Sequence, residues 1–370
     1  MRAKAHRRTG TVLLTVSGVV DPELTTRIAH DERPRPDYVA MAAAMDAELL
    51  DVTEARRRAG RAGRLLERLG GAPLLLAWVC FRERERYDAV FTDGEQVGLP
   101  LAALCRLTAR RPFAHVMIAH ILSVPKKRLL YRTLRLGRFI DSVVVYSSAQ
   151  RHFVANELKF PIDRVVLTPF TVDTAFFATG RVDTHPGPRR TICSAGLEFR
   201  DYTTLMDAVR GLDVRVVIAA ASPWSTRPDS TQGAALPPNV EVCRLGFVDL
   251  RQLYADSSLV VMPLHDVEFQ AGITTILEAM AMGKTVVCSR TRGQTDVIVD
   301  DVTGVYVEPG DRRALREAID GLLADPARAE RLGRAAREYV VRECDVSVYA
   351  DRLAAVVERA RARAGEVSRT

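Results

Sequence analysis

The stretch that decides the fold reads Gln270-Ala-Gly-Ile-Thr-Thr-Ile-Leu-Glu278-Ala-Met-Ala-Met-Gly283-Lys-Thr-Val-Val. An apolar strand-like run, Leu259–Met262, comes before it, and a second run, Thr285–Cys288, ends it. Between them, Gly272 opens a segment with helical spacing of apolar residues. A strand, a helix and a strand in this order predict a βαβ unit with parallel strands.

The start of this helix is suited to bind an anion. Its first N–H groups have no intrahelical partners and carry partial positive charge, so a phosphate or diphosphate can sit there. Glu278 lies one turn after Thr274 on the same face, where its carboxylate could accept hydrogen bonds from both vicinal hydroxyls of a ribose. A buried helix with a solvated glutamate explains the same residues, so this stretch alone leaves both interpretations open.

The same alternation of strands and helices extends over the whole chain and predicts parallel sheets covered on both faces. Strands are expected at Thr11–Val16, Tyr87–Thr92, Phe113–Ala119, Asp141–Tyr146, Arg164–Leu167, Arg190–Ser194, Val214–Ala219, Val240–Arg244, Leu259–Met262, Thr285–Cys288 and Val305–Val307. Helices are expected at Tyr38–Leu50, Arg56–Leu69, Leu129–Phe139 and Val346–Ala362. The fold class is therefore α/β.

The length of 370 residues predicts two domains. The first is expected at 1–180 and the second at 190–345, joined by the Pro- and Arg-containing linker 180–190. A C-terminal helix and tail, 346–370, is expected to cross back onto the first domain, and 220–238 is expected to be a surface loop.

Composition excludes several classes of protein. With 47% hydrophobic and 27% charged residues, the chain is neither disordered, collagenous nor a coiled coil. Only five of the 53 basic residues are lysine, which indicates codon bias from a GC-rich genome. The net charge of +7 therefore says little about nucleic acid, and no nucleic-acid motif accompanies it.

Cysteines and termini favour a cytoplasmic protein. Six cysteines occur singly, as expected of buried free thiols in a reducing compartment. Basic residues at 2–8 precede the apolar run 11–20, which could be a secretory leader, but no Ala-x-Ala site follows and a first strand explains the run.

Three further motifs follow the helix: Arg292-Gly-Gln-Thr-Asp296, Asp301-Val-Thr-Gly304 and Pro309-Gly310-Asp311. Together with Glu278 and its helix, they resemble the retaining GT-B glycosyltransferases of the family 4 type from about Gly246 to Val341. That family has a Glu, seven residues and a second Glu before Ala-Met-Ala, then a Gly-Gly-x-x-Glu turn, Asn-Gly-x-x-Gly and Pro-Gly-Asp.

The resemblance implies two Rossmann-like, doubly wound domains facing across a cleft. The C-terminal domain would hold a nucleoside-diphosphate sugar and the N-terminal domain an acceptor, such as a small molecule, a saccharide or a lipid-linked sugar. The sugar would be transferred with retention of configuration, with no cofactor and no metal. Two alternatives stay open: another GT-B enzyme, such as an epimerase or phosphorylase, and a catalytically silent nucleotide-sugar-binding partner.

The resemblance also assigns residues. Arg200 stands for the lysine that neutralises the diphosphate, His120 for a histidine facing the sugar, and Gln270 for the first motif Glu. Residues expected to bind the donor nucleotide are Gly196, Phe247, Val248, Gly272, Ile273, Thr274 and Glu278. Ser147 and Glu268 are further candidates. Without the resemblance His120 reads as a satisfied core histidine, the interpretation that His115 keeps.

Two departures from the family bear on the sugar. Gln270 keeps hydrogen-bonding reach but has no negative charge, unless a bulge lets Glu268 serve instead. Leu197 follows Gly196 where the family has an arginine.

Asp266-Val-Glu268 also permits a rival interpretation, a DxD-type Mg²⁺ site. The flanking motifs are of the GT-B type, in which helix dipole and basic side chains bind the diphosphate, so no metal is expected.

The strongest charge run spans 126–138 and places Arg128, Arg132 and Arg135 on one predicted helical face. Such a run is usually a solvated face. The alternative is peripheral contact with an anionic membrane at its inner face, because several family members act on lipid acceptors. Nucleic acid is disfavoured because no aromatic residues are interleaved.

Overall fold

The computed structural model describes residues 11–108, 111–185, 190–220 and 236–367. The chain divides into two compact units. Unit 1 comprises Met1–Leu24, Asp37–Thr168 and Tyr349–Thr370, and unit 2 comprises Thr25–Pro36 and Pro169–Val348. The basic residues at 2–8, part of the expected linker and most of the expected loop 220–238 lie outside the described residues.

Unit 2 begins earlier than the expected boundary at 180. The segment from Pro169 belongs to it because Phe176 and Phe177 are buried in the apolar core of that unit. Most of the C-terminal helix, from Tyr349 onward, groups with unit 1.

Unit 1 contains a six-stranded sheet, in which every strand pair is parallel, in the order β2-β1-β3-β4-β5-β6. Its strands are β1 (Val12–Thr15), β2 (Ala47–Leu50), β3 (Ala89–Thr92), β4 (Ala114–Ile118), β5 (Ser142–Val145) and β6 (Val165–Leu167).

Unit 2 contains a second parallel sheet, in the order β12-β11-β10-β7-β8-β9. Its strands are β7 (Thr191–Ala195), β8 (Arg215–Ala219), β9 (Val240–Cys243), β10 (Leu259–Met262), β11 (Thr285–Ser289) and β12 (Val305–Val307).

Helices connect the strands, and several of them begin at an aspartate that caps the first turn. They are α1 (Leu24–Ala29), α2 (Asp37–Met45), α3 (Val52–Arg58), α4 (Gly60–Arg82), α5 (Glu95–Thr108), α6 (Pro125–Thr133), α7 (Ser148–His152), α8 (Tyr202–Val209), α9 (Phe247–Asp256), α10 (Ile273–Ala281), α11 (Arg312–Ala324), α12 (Pro326–Glu343) and α13 (Val346–Val367). Asp201, Asp311 and Asp325 accept backbone N–H groups at the starts of α8, α11 and α12, as N-caps do.

Both faces of the second sheet are covered. Along β10, Val260 and Met262 join one apolar cluster, whereas Leu259 and Val261 join another on the opposite face. Alternating side chains of a strand point to opposite faces, so a strand buried on both sides must be apolar throughout. This is why the continuous apolar runs predicted these strands correctly.

Three predicted helices are wrong in part. The helix expected at 38–50 ends at Met45, and 47–50 forms β2, which pairs with β1. The helix expected at 56–69 is two helices, α3 and α4, and α4 continues to Arg82 with a kink at Gly71. The helix expected at 129–139 ends at Thr133, because Arg135 adopts a left-handed φ of 47°.

Within the described part of the chain, no helix combines the length and apolar character needed to cross a membrane.

Candidate functional site

The strand order of unit 2 places a binding site before any side chain is considered. Chain connections run outward in one direction from β7 through β8 to β9, and in the other from β10 through β11 to β12. The carboxyl ends of β7 and β10 therefore flank a topological switch point, where doubly wound sheets bind ligands. The loops that leave these two strands contain Gly196, Arg200, Gln270 and Gly272.

Arg200 brings the two loops together. Its guanidinium packs against Gly196, where a methyl group would overlap Nη2, and against Gly272, where a Cβ would lie 3.2 Å from Nη1. Both glycines have positive φ, of 96° and 75°. Glycine is needed at both positions, for conformation and for space.

The charge of Arg200 has no acidic partner among the described residues. Nε donates to the carbonyl of Ala195 at 2.9 Å and Nη1 to that of Glu198 at 2.8 Å. The side chain is buried, and this burial lowers the pKa of the guanidinium. A buried cation paired only with carbonyl dipoles is poorly compensated and attracts an anion.

A helix N-terminus adds to this field. α10 begins after Gly272, and no side chain caps it. Its first-turn residue Thr274 is exposed, whereas Gly272 and Ile273 are half-buried. The free N–H groups and Arg200 together form a cradle for a phosphate or diphosphate.

Phe199 carries local strain beside this cradle. Its φ of 58° lies in the left-handed region, which costs a bulky residue about 1–3 kcal/mol. The ring packs edge-on against Phe269, with centroids 5.0 Å apart. The strained residue thus joins the loop after β7 to the loop before α10.

Glu278 is buried on α10 and is held from α9. Oε2 accepts the hydroxyl of Tyr254 at 2.9 Å. Burial raises the pKa of Glu278 from its ordinary 4.5 to about 7, although the Tyr254 bond opposes the shift. The carboxyl is thus poised between its neutral and charged forms near neutral pH. The sequence contained no signal for Tyr254.

The loop 267–271, which carries the half-buried Gln270, is held by residues that follow β11. Gly293 donates its N–H to the carbonyl of Val267 at 3.0 Å. Gln294, which is fully buried, donates Nε2 to the carbonyl of Ala271 at 2.9 Å. Gln294 belongs to the motif Arg292–Asp296, but its role was missed because a sequence motif does not show which backbone group a side chain contacts.

We expect Gly293→Ala to displace this loop. A Cβ at Gly293 would overlap the backbone of Phe269, and backbone cannot yield as a flexible side chain can. Because this loop leads into the anion cradle at the start of α10, affinity for a nucleoside diphosphate should fall roughly tenfold or more, at about 1.4 kcal/mol per factor of ten, measured by calorimetric titration. Gly321→Ala is the matched control, because its Cβ would meet nothing within 4 Å. Equal affinity in the two variants would show that the position of loop 267–271 does not affect binding of the nucleoside diphosphate.

The two carboxylates of the rival metal interpretation are paired with a cation. Arg292 lies 3.3 Å from Asp266 and 3.1 Å from Glu268, and all three side chains are exposed. Across 11–108, 111–185, 190–220 and 236–367, no group of three or more His, Cys, Asp or Glu residues is placed to hold a metal ion.

Two of the residues predicted to bind the donor nucleotide, Phe247 and Val248, lie at the start of α9. Gly246 is its N-cap, Phe247 is half-buried, and Val248 is 42% exposed. The Arg33 guanidinium lies 5.6 Å from the centroid of the Phe247 ring. A ligand at this helix start would meet both backbone N–H groups and an apolar side chain.

Unit 1 contains the remaining candidates. His120 follows β4 and is half-buried, with its ring 5.8 Å from that of Tyr146. Ser147 is buried, and its hydroxyl accepts the N–H of Gln150 as the N-cap of α7. His115 is a core residue: Nδ1 bonds the carbonyl of Phe139, and burial lowers its pKa to about 4.

Comparison with known proteins finds a family for the second unit. Residues 199–325 match the family described as "Glycosyl transferases group 1". One relative, the alpha-maltose-1-phosphate synthase of Mycobacterium tuberculosis, is 37% identical over 106 residues, 27% of each chain. Another, the D-inositol 3-phosphate glycosyltransferase of Xylanimonas cellulosilytica, is 36% identical over 88 residues, 24% of this chain and 20% of that one. The matches span about a quarter of these relatives' length.

Solved structures match over nearly the whole chain. Sucrose-phosphate synthase from Thermosynechococcus elongatus gives a TM-score of 0.70 at 18% identity, covering 95% of this chain and 99% of that one. Anabaena HepE in complex with UDP-glucose gives 0.66 at 16% identity, covering 93% and 98%. These likenesses confirm the predicted GT-B fold, and the family match confirms the resemblance to the group 1 glycosyltransferases.

Proposed function

We propose that this protein transfers a sugar from a nucleoside-diphosphate sugar to an acceptor, because residues 199–325 match the group 1 glycosyltransferases and the chain has the GT-B fold. The observation that carries the proposal is the buried Arg200, which forms no salt bridge with any described carboxylate and lies beside the start of α10, where Gly272 provides no side-chain cap. This arrangement fits the diphosphate of such a donor. A relative in fold, HepE, was solved with UDP-glucose.

The proposed reaction retains the anomeric configuration. The acceptor hydroxyl attacks the sugar on the face that the diphosphate leaves, and the departing phosphate oxygen takes the hydroxyl proton. Arg200 and the N–H groups of α10 stabilise the negative charge that develops on the leaving group. In unit 2, Glu278 accepts the ribose hydroxyls and Gln270 contacts a hydroxyl of the sugar. In unit 1, His120 contacts a substrate hydroxyl.

Mass-spectrometric screening of UDP-, GDP- and dTDP-sugars tests this function. One of them should be hydrolysed slowly or transferred to an acceptor from a panel of polyols, saccharides and lipid-linked sugars, with one anomer formed. The absence of both binding and turnover for every donor would contradict the proposal. Conversion of the donor without an acceptor into a new nucleotide sugar would identify an epimerase instead.

A catalytically silent binding partner is the second candidate. It is favoured by Leu197, which occupies the position of the family's arginine and packs against an apolar cluster, and by the neutral Gln270. Donor binding without turnover over the whole acceptor panel would select it.

We expect the activity to survive excess EDTA. Arg200 and α10 supply the positive charge, and Arg292 is already paired with both Asp266 and Glu268. Initial rates with and without chelator should agree within about twofold, on the order of 0.4 kcal/mol in barrier. Loss of turnover in EDTA, restored by Mg²⁺ or Mn²⁺, would instead assign a metal to those carboxylates.

We also propose peripheral contact with an anionic membrane through α6. The surface concerned, the α6 patch, comprises Lys126, Arg128, Leu129 and Leu130. All four are exposed, and Leu129 is 68% exposed. Exposed leucines beside cations suit a lipid interface better than a purely solvated face does. The predicted face of Arg128, Arg132 and Arg135 changes in two respects. The helix ends at Thr133, so Arg135 no longer continues it, and Arg132 donates to the carbonyl of Glu157.

Vesicle sedimentation tests the α6 patch. The protein should pellet with phosphatidylglycerol vesicles at low salt and be released at high salt, because each basic residue near the surface contributes about 1 kcal/mol. Arg128→Glu should weaken binding, whereas Arg312→Glu, an exposed change in unit 2, should not. Equal binding to neutral phosphatidylcholine vesicles would contradict the proposal and show that the α6 patch is an ordinary solvated surface.

A further inference from the structure

The loop that carries His120 is held by an ion pair within unit 1, between a buried carboxylate and a half-buried lysine. Glu95, at the start of α5, is 2% exposed, and the Lys127 ammonium lies 2.6 Å from its Oε1. The same carboxylate accepts the backbone N–H of His120 at 2.8 Å and that of Ile121 at 3.1 Å. Lys127 also donates to the carbonyl of Ile121, at 3.2 Å. One carboxylate and one ammonium therefore fix the backbone at two successive residues.

Separate contacts fix the ring and the carbonyl of His120. Nε2 lies 2.9 Å from the backbone carbonyl of Asp93. A carbonyl only accepts, so Nε2 carries the hydrogen and Nδ1 is the unprotonated nitrogen of the neutral ring. No described residue hydrogen-bonds to Nδ1. Gln150 donates Nε2 to the carbonyl of His120 at 2.6 Å. Every polar atom of His120 is thus occupied within unit 1 except Nδ1.

Lys127 stands out in an arginine-rich chain, where only five of 53 basic residues are lysine. A compact ammonium fits between a carboxylate and a carbonyl, where a planar guanidinium would need more room. Burial alone would raise the pKa of Glu95, but the contacts with Lys127 and with His120 together outweigh it and lower the pKa, which keeps the carboxylate ionised. An ionised acceptor is the stronger one for the two backbone donors.

We propose that Glu95 and Lys127 are positioning residues for His120, which they hold so that Nδ1 is the atom that accepts a hydrogen bond from a substrate hydroxyl. This inference rests on the proposed glycosyl transfer for the identity of that hydroxyl. The pair itself touches no substrate and acts only through the backbone of 120–121. Support of this kind matters because a displacement of about 1 Å at a positioned group can cost a hundredfold in rate.

The first test is NMR of the histidine rings and needs no substrate. Protein labelled with ¹⁵N-histidine at pH 8.5, where an ordinary imidazole is neutral, should show His120 as the Nε2–H tautomer, assigned by loss of its signals in His120→Gln. Lys127→Met should shift these signals or mix the tautomers. Lys159→Met, an exposed lysine change in unit 1, should leave them unchanged. An Nδ1–H tautomer in the unaltered protein, or no response to Lys127→Met, would overturn the proposal.

The second test is kinetic. Lys127→Met should lower kcat at least tenfold, while the Kd of the nucleoside diphosphate stays within twofold, because its proposed site lies in unit 2. Glu95→Gln/Lys127→Met, which removes both charges, should fold even if the single variant does not, since it leaves no buried charge unpaired. Its kcat should also fall, and an unchanged kcat in either folded variant would contradict the proposal. If no donor is turned over at all, glycosyl transfer fails, while the tautomer measurement still decides the role of the pair.

Discussion

Arg200→Met should lower turnover by about 10²–10³, equivalent to about 2.7–4 kcal/mol of transition-state stabilisation. The guanidinium is buried between two loops, and its remaining charge is not neutralised by any carboxylate among the described residues. That charge is proposed to meet the diphosphate as it leaves, when its negative charge is greatest. Steady-state kinetics with the donor found by screening would measure the loss in kcat and in kcat/KM.

Two controls separate this effect from unfolding. Arg312→Met removes an exposed cation from the same unit and should leave turnover within about twofold. Removal of the guanidinium leaves the carbonyls of Ala195 and Glu198 without their donors, so the variant could be destabilised. Thermal unfolding shows whether Arg200→Met is folded. If folded Arg200→Met turns over the donor at the normal rate, Arg200 does not stabilise the leaving group.

Glu278→Ala should weaken the binding of both the donor and its free nucleoside diphosphate by about two to four powers of ten. A hydrogen bond to a charged group contributes about 1.5–3 kcal/mol, and two are proposed to the ribose. The carboxylate is buried and held in place by Tyr254 at 2.9 Å, so little ordering remains to be done on binding. Calorimetric titration measures the affinity. If Glu278→Ala binds the diphosphate as the unaltered protein does, the ribose assignment and the register of the whole motif are wrong.

The same residue predicts a pH dependence. Burial raises the pKa of Glu278 to about 7, so its charged form increases as pH rises from 6 to 8. Affinity for a nucleotide sugar, whose diphosphate does not titrate there, should rise over this range and become flat in Glu278→Gln. The contribution of Glu278 to the free energy of unfolding changes with pH in the opposite direction. The unfolded group ionises near 4.5 and the folded one near 7, so its contribution to folding is present below 4.5 and is lost as pH rises through 7.

Gln270 should behave differently from Glu278. It is proposed to touch only the sugar, so Gln270→Ala should lower turnover and leave nucleoside-diphosphate affinity nearly unchanged. Gln270→Glu should alter which sugar is preferred. A matching loss of diphosphate affinity in Gln270→Ala would place this residue on the nucleotide instead.

The sequence by itself determined the fold class, the strands of the second unit and the resemblance of residues 199–325 to the group 1 glycosyltransferases. These rest on local patterns. A strand buried on both faces is apolar along most of its length, so a short local stretch of sequence is enough to recognise the strands Leu259–Met262 and Thr285–Ser289. The motif around Glu278 is likewise contiguous, and a resemblance can be read along it.

Only the tertiary structure decided which loops meet. The strand order puts β7 beside β10, although about 60 residues separate them, and this pairing brings Arg200 against Gly272. β2 was missed because 47–50 is short and continues a helical pattern, and its pairing with β1 outweighs local preference.

The contacts that hold the candidate groups in place were also decided only by the tertiary structure. Gln294 on the carbonyl of Ala271, Tyr254 on Glu278, and Glu95 with Lys127 each join residues 23 to 32 positions apart. Lys127 in particular was counted with a charged surface run, but its ammonium turns inward to a buried carboxylate. Periodicity reports which face of an element is buried. The partner that a buried polar atom meets depends on how separate elements pack, and no local window of sequence encodes that.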